Sequence, residues 1–218
     1  MKTKLFLVLP LLMLFFVTSC NEDDTMSESQ ELFKRDMNAN KPGDKTIFEL
    51  AVASNLTELY GAILHVDNKL GTNLEATIQS NEVQLTVFAP TNTAFVNLLA
   101  FLDDARDEDI NDITDVPAEI VLAVLQYHLV EGRRASNSVL PKNDNNKTIE
   151  TLFNGTTFEV DKSAMIYTAG GTTSQIGGGG APFDVSASNG VVHVIDAVLL
   201  PLTPAEVLAL WDSLTQPE

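Results

Sequence analysis

The sequence predicts an α+β fold, with helices first and a largely antiparallel sheet after them. Two observations carry this reading. Over residues 46–64 and again over 117–126 apolar side chains recur every three or four residues, the period of a helix that buries one face. From Lys147 the chain changes to short β-type segments, "TIETLF", "TTFEV", "AMIYT", "FDVSA" and "VVHVIDAVLL", separated by Asn-Gly and Gly-rich turns. Helices followed by strands segregate into an α+β domain rather than an alternating one.

The elements can be justified in order. Thr46 and Glu49 in "TIFE" have capping-box spacing, in which hydroxyl and carboxylate satisfy orphan backbone donors at a helix start. Ile47, Leu50 and Ala51, then Leu56, Leu59, Tyr60, Ile63 and Leu64, give two helices broken near Ser54-Asn55. "VQLTVFA", from Val83, alternates and is β-branched, so it reads as a strand stopped by Pro90, which cannot donate to a ladder. Thr91 fits the N-cap of a helix through "NTAFVNLLAFL". Residues Pro117 to Gln126 form another helix, with Ile120, Val121, Val124 and Leu125 on one face. "TPAE", from Thr203 to Glu206, is a second capping box and opens a final helix carrying Trp211. No internal repeat is present. The expected organisation is one domain over residues 44–201, followed by a C-terminal helix at 202–218.

The 218 residues suffice for one medium domain with its own core. A hydrophobic content of 44% with 20% charged residues excludes the disordered class. The net charge of -17 repels phosphate backbones and anionic bilayers, so nucleic acid is not an expected partner.

One cysteine, Cys20, stands between a greasy run and a run of acids. Lys2 and Lys4 precede Leu5 to Val17, an apolar stretch too short for a bilayer-spanning helix of about 20 residues. "VTSC" resembles the bacterial lipobox, which implies a signal peptide over residues 1–19 and a lipidated Cys20 as the mature N-terminus. Two or three acyl chains anchor a protein durably, at roughly 0.8 kcal/mol per buried CH₂. Asn21, Glu22, Asp23 and Asp24 resemble the acidic tag of surface lipoproteins of the Bacteroidetes type; a solvated acidic linker is the alternative. Residues 20–43 read as a lipidated, flexible tether ending in "KPGD".

Three stretches resemble the fasciclin (FAS1) domain family in order, spacing and identity. They are "TVFAPTNTAF" from Thr86 to Phe95, Tyr127-His128 within "LQYHLVEGR", and "NGVVHVIDAVLLP" from Asn189 to Pro201. The resemblance implies the FAS1 fold, a compact α+β wedge, and roles in cell-surface adhesion rather than catalysis. Most of each motif reads as structural: a strand, a Pro stop and a capped helix in the first, and a Val- and Ile-rich strand after an Asn-Gly turn with positive φ in the last. His128 and His193 sit among Leu and Val and are expected to be partly buried and satisfied by hydrogen bonds rather than to act as a ligand or base. In some family members the Tyr-His neighbourhood contacts receptors, which makes Tyr127 and His128 candidate binding residues here.

Two segments depart from the common family pattern. "FLDDARDEDINDITD" is strongly acidic, and "AGGTTSQIGGGGAP" is Gly-rich and expected to be a flexible loop. Specificity usually resides in loops, so Asp103, Asp104, Asp107 and Asp109 are further candidate binding residues.

Other chemistry fits poorly. Asp107, Asp109 and Asn111 match the first positions of a calcium-binding EF-hand, but Asp112 stands where glycine is needed and Ala118 where a bidentate Glu is needed. The glycines at 177–180 lack the lysine and strand-to-helix setting of a P-loop. No G-x-S-x-G elbow or H-E-x-x-H motif occurs, so neither enzyme activity nor a cofactor is expected. The lipobox-like segment and the family resemblance together imply a lipid-anchored protein of the bacterial outer membrane that binds an extracellular protein or glycan. The competing reading is a polysaccharide- or small-molecule-binding lipoprotein of an uptake system. Aromatic content of 7%, with one Trp and three Tyr, weighs against the latter.

Overall fold

The computed structural model describes residues 42–215. The expected signal peptide, Cys20 and nearly all of the tether lie outside them. Helix α1 (Ile47–Ala53) begins with the expected capping box: Thr46 Oγ1 accepts the Glu49 amide at 3.2 Å, and the Glu49 carboxylate accepts the Thr46 amide at 2.8 Å. The chain reverses at Asn55, whose φ of 56° places it in the left-handed region that Asn tolerates, and enters α2 (Thr57–Leu70).

A short helix that periodicity does not predict follows, α3 (Leu74–Gln79). Its first amides are satisfied from outside: Asp67, on α2, accepts from Leu74 at 2.8 Å and from Glu75 at 2.9 Å, and also takes the Thr72 hydroxyl. Burial pushes the Asp67 carboxyl up, but these bonds outweigh it and hold the group below its ordinary value.

Strand β1 (Leu85–Pro90) leads into α4 (Asn92–Arg106), with Thr91 as N-cap accepting the Ala94 amide at 3.2 Å. A 3₁₀ turn (Ile113–Asp115) precedes α5 (Ala118–Tyr127), β2 (Leu129–Glu131) and α6 (Ser136–Val139). Six strands come next: β3 (Lys147–Glu150), β4 (Thr157–Val160), β5 (Met165–Tyr167), β6 (Thr173–Gln175), β7 (Val185–Ala187) and β8 (Gly190–Ile195). Helix α7 (Pro204–Thr215) closes the described chain. Thr203 and Glu206 make its capping box, with the Thr203 amide 2.8 Å from the Glu206 carboxylate.

The strands form two four-stranded sheets, β2-β1-β8-β7 and β3-β4-β5-β6. The second is antiparallel throughout, as the turn-separated segments imply. In the first, β1 and β8 run parallel over six residue pairs, from Leu85 opposite Gly190 to Pro90 opposite Ile195. Local turn chemistry does not reveal a pairing between strands a hundred residues apart.

Both central strands are buried on both faces, and their successive residues serve different cores. Val87, Ala89, Val192 and Val194 face the helical layer, where they join Leu50, Leu59, Phe95, Leu125 and Trp211. Phe88 and Ile195 face the second sheet, among Tyr127, Ile149, Phe158 and Ile166. Each buried Val, Leu, Ile or Phe among them contributes about 1.5–3 kcal/mol by leaving water.

Two expectations about glycine are corrected. Neither Asn189 nor Gly190 has positive φ. Gly190 is required by close approach: a Cβ there would fall inside the Leu85 carbonyl on the paired strand. The Gly-rich segment is not a free loop either. It contains β6, Ile176 bridges to Ile195, and the Gly177 amide donates to the Val194 carbonyl at 2.8 Å. Gly170 and Gly178 pack against the Leu202 carbonyl and the Asp196 carboxylate, where a side chain would not fit.

Candidate functional site

Tyr127 and His128 end α5 inside the molecule. Their exposures are 0% and 2%, which corrects the expectation that they form a contact edge. The Tyr127 hydroxyl donates to the Thr157 carbonyl at 2.8 Å and accepts the Ala169 amide at 3.0 Å, tying α5 to the second sheet. Burial pushes its phenol up. His128 Nδ1 donates to the Val124 carbonyl at 2.7 Å, and Nε2 accepts the Leu199 amide at 2.9 Å. This pattern requires one neutral tautomer. Burial pushes the imidazole down to about 4, against the opposing pull of the Val124 carbonyl.

His193, fully buried on β8, is satisfied in the same way. Nε2 donates to the Arg134 carbonyl at 2.8 Å, and Nδ1 accepts the Asp184 amide at 3.2 Å. Its ring lies 5.3 Å from that of Phe88. Burial lowers the pKa, while the Arg134 carbonyl and the Asp184 carboxylate, 3.7 Å away, oppose the shift. A serine, an aspartate and a histidine thus sit together, but Ser136 Oγ donates to Asp184 rather than to the imidazole. No hydroxyl is activated by this arrangement. Both histidines are structural, as the motif reading expects.

The acidic segment is more ordered than a free loop. Asp103 and Asp104 lie on α4, and Asp107 caps it with φ of 55°. Ile110 and Ile113 are buried and pin the segment to the helical core. Three carboxylates are spent on the segment's own backbone: Asp103 accepts the Ile110 amide, Asp112 the Thr114 amide, and Asp115 those of Asn111 and Asp112, all at 2.8–3.0 Å. Of the four candidate aspartates, Asp103 is half-committed in this way, whereas Asp104, Asp107 and Asp109 are exposed.

Arg106, which the motif reading does not single out, and Asn189, which it gives only a turn, hold this framework. Arg106 lies 4.6 Å over the Trp211 ring, pairs with Glu108 through two nitrogens, and reaches Asp212 at 2.9 Å. It joins the end of α4 to α7. Asn189 is fully buried; its oxygen accepts the Ile47 amide at 2.8 Å and its amide donates to the Ile78 and Ser80 carbonyls. It therefore stands in the two-residue turn between β7 and β8 and is also a clamp across three elements.

The chain matches the fasciclin domain family over residues 54–201. It is 27% identical over 150 residues to immunogenic protein MPB70 of Mycobacterium bovis and to MPT70 of Mycobacterium tuberculosis, covering 68% of this chain. The match spans 66% of those relatives, just under two thirds of their length. Protein sll1483 of Synechocystis is 32% identical over 128 residues, or 56% of this chain and 58% of the relative. Among solved structures, a FAS1 domain pair from the insect cell adhesion molecule fasciclin I aligns with a TM-score of 0.44 and 22% identity, covering 65% of this chain and 45% of that one.

Proposed function

From the premise that this chain belongs to the fasciclin domain family, we propose that it is an envelope-anchored FAS1 lipoprotein of the bacterial outer membrane that binds an extracellular protein or glycan in adhesion or surface association. The family match over residues 54–201 carries the reading. Two further observations support it. The lipobox-like "VTSC" offers Cys20 as a lipid attachment point. The two motif histidines have every ring nitrogen occupied by a backbone group, which suits a scaffold rather than a catalyst. Contact with a partner then falls to surface groups such as Asp104, Asp107 and Asp109.

The test has two arms. Wild-type protein partitions into detergent with the mass of a lipidated, processed chain, and Cys20→Ala becomes soluble or stays unprocessed; unchanged partition and mass would refute the anchor. Purified protein is then screened against matrix proteins and a glycan array. Binding to neither class refutes the adhesion reading.

A further inference from the structure

An open groove of about 420 Å³ runs between α4, the turn before β6 and the chain leading into α7. Leu98, Phe101, Val198, Leu200 and Pro204 make it apolar, and Thr172 and Thr173 stand on its rim. Phe101 is 42% exposed, unusual for a large aromatic ring on a helix whose neighbours Leu99 and Leu102 are buried.

The end of α4 and the segment that follows it, residues 103–115, carry the densest charge imbalance of the described residues, and α7 adds Glu206 and Asp212. Residues 103–115 and 203–212 hold nine carboxylates and one guanidinium, that of Arg106, which is already engaged by Glu108 and Asp212. Asp104 lies one helical turn beyond Phe101, and Glu206 is two residues past Pro204. The groove therefore opens into a negative field that like charge elsewhere on a chain of net -17 reinforces.

We infer that this groove docks a cationic peptide segment of a partner protein, an apolar side chain entering beside Phe101 and flanking lysines or arginines facing Asp104, Asp107 and the start of α7. The inference rests on the binding role proposed above and names its partner's chemistry. Charge complementarity selects this occupant. A second copy of the chain would bring its own net charge of -17 to the same face, and an anionic polymer or lipid surface is repelled for the same reason. Both features are needed: the apolar floor holds the segment, and the carboxylates steer it and set its salt dependence.

The probe is a fluorescein-labelled octapeptide alternating lysine and leucine, compared with lysine–serine and glutamate–leucine octapeptides and a neutral oligosaccharide. The lysine–leucine peptide binds the purified protein, its affinity falls as salt rises through roughly 0.1 M, and it perturbs the NMR signals of Leu98, Val198 and Leu200. Phe101→Ala, and Thr173→Trp as a plug on the exposed rim, each weaken it by about tenfold, the scale of losing one anchoring contact. Equal binding of the lysine–serine peptide, or binding unaltered in both folded variants, overturns the groove. Preferential binding of the oligosaccharide or the glutamate peptide overturns the cationic partner. Adhesion that survives in both variants would sink the groove and leave the adhesive role standing. Peptide binding without any adhesion by the wild-type protein would do the reverse.

Discussion

The sheet-facing end of α5 and the surface shared by α4 and α7 differ in nearly every respect that matters for function. In the first, the motif residues Tyr127 and His128 are inside, as is His193 on β8, and each has its polar atoms matched by backbone groups. The second draws Ala94, Val198 and Leu200 from the motif stretches, yet holds an open apolar groove, an exposed Phe101 and most of the nearby carboxylates. The difference separates two reasons for a residue to be where it is. A motif built of buried tyrosine and histidine specifies a fold, because an unpaired buried polar group is costly. A surface can change its ligand without touching that requirement.

The sharpest way to test this division is to break the interior. Tyr127→Ala leaves a cavity and strands the Thr157 carbonyl and Ala169 amide, so unfolding free energy should fall by about 3–5 kcal/mol. Tyr127→Phe, which keeps the ring, should cost about 1–3 kcal/mol. Urea denaturation measures both; a loss under 0.5 kcal/mol for the alanine variant would mean that the interior is not what holds the domain.

Acid should act on the same region. His128 has a folded pKa near 4 against about 6.5 when unfolded, so the unfolded chain takes up a proton that the folded one refuses. Its contribution is fully present above about pH 6.5 and is lost as pH falls towards 4, by about 3 kcal/mol. His193 is shifted in the same direction. The urea midpoint should therefore drop steeply between pH 6.5 and 4.5, and His128→Gln should flatten that slope without abolishing it. An identical slope in the variant would rule out His128 as its source.

Within the second region, Arg106 joins α4 to α7. Its ion-pair partners are more than half exposed and contribute little, so the contact over Trp211 should dominate. Arg106→Ala is expected to cost about 1 kcal/mol, largely insensitive to salt. If half a molar sodium chloride reduces the wild-type stability by the same amount as the mutation, the ion pairs matter more than the ring.

The smallest effects belong to the surface. Replacing Asp104, Asp107 and Asp109 together by Asn should move Tm by no more than about 2 °C, while removing the salt dependence of peptide binding. A large loss of stability would place these aspartates in the framework with Asp103, Asp112 and Asp115. Excess chelator and millimolar calcium should likewise give the same Tm to within about 2 °C. A calcium-dependent rise would reveal a cation held by the native state alone, whose stabilisation follows RT ln(1 + [L]/Kd).

Local grammar made most of the elements legible. The capping boxes at Thr46 and Thr203, the N-cap at Thr91 and the stop at Pro90 act within four residues of chain, and each appears where the residues place it. The short elements escaped for equally local reasons. α3 depends on amides capped by Asp67 from the preceding helix, and β2 and β6 are three-residue strands, too short for alternation to show, the first pairing with the distant β1 and the second with the adjacent β5. The buried histidines could be anticipated from their apolar neighbours. The groove could not, since Leu98, Phe101, Thr173, Val198 and Pro204 meet only when α4, β6 and the entry to α7 are packed together.

The sequence by itself determined the class of fold, the order and ends of most helices, and the interior fate of His128 and His193, because propensity, capping and hydrophobic period are properties of neighbouring residues. Tertiary structure alone decided that β1 pairs parallel with β8, that Gly190 is a matter of close approach and Asn189 a clamp, that Tyr127 is withdrawn from the surface, and that acid and apolar groove share one face. Each of these joins residues far apart in the chain, and such meetings are chosen by the burial and hydrogen-bonding of the whole domain rather than by any segment of it.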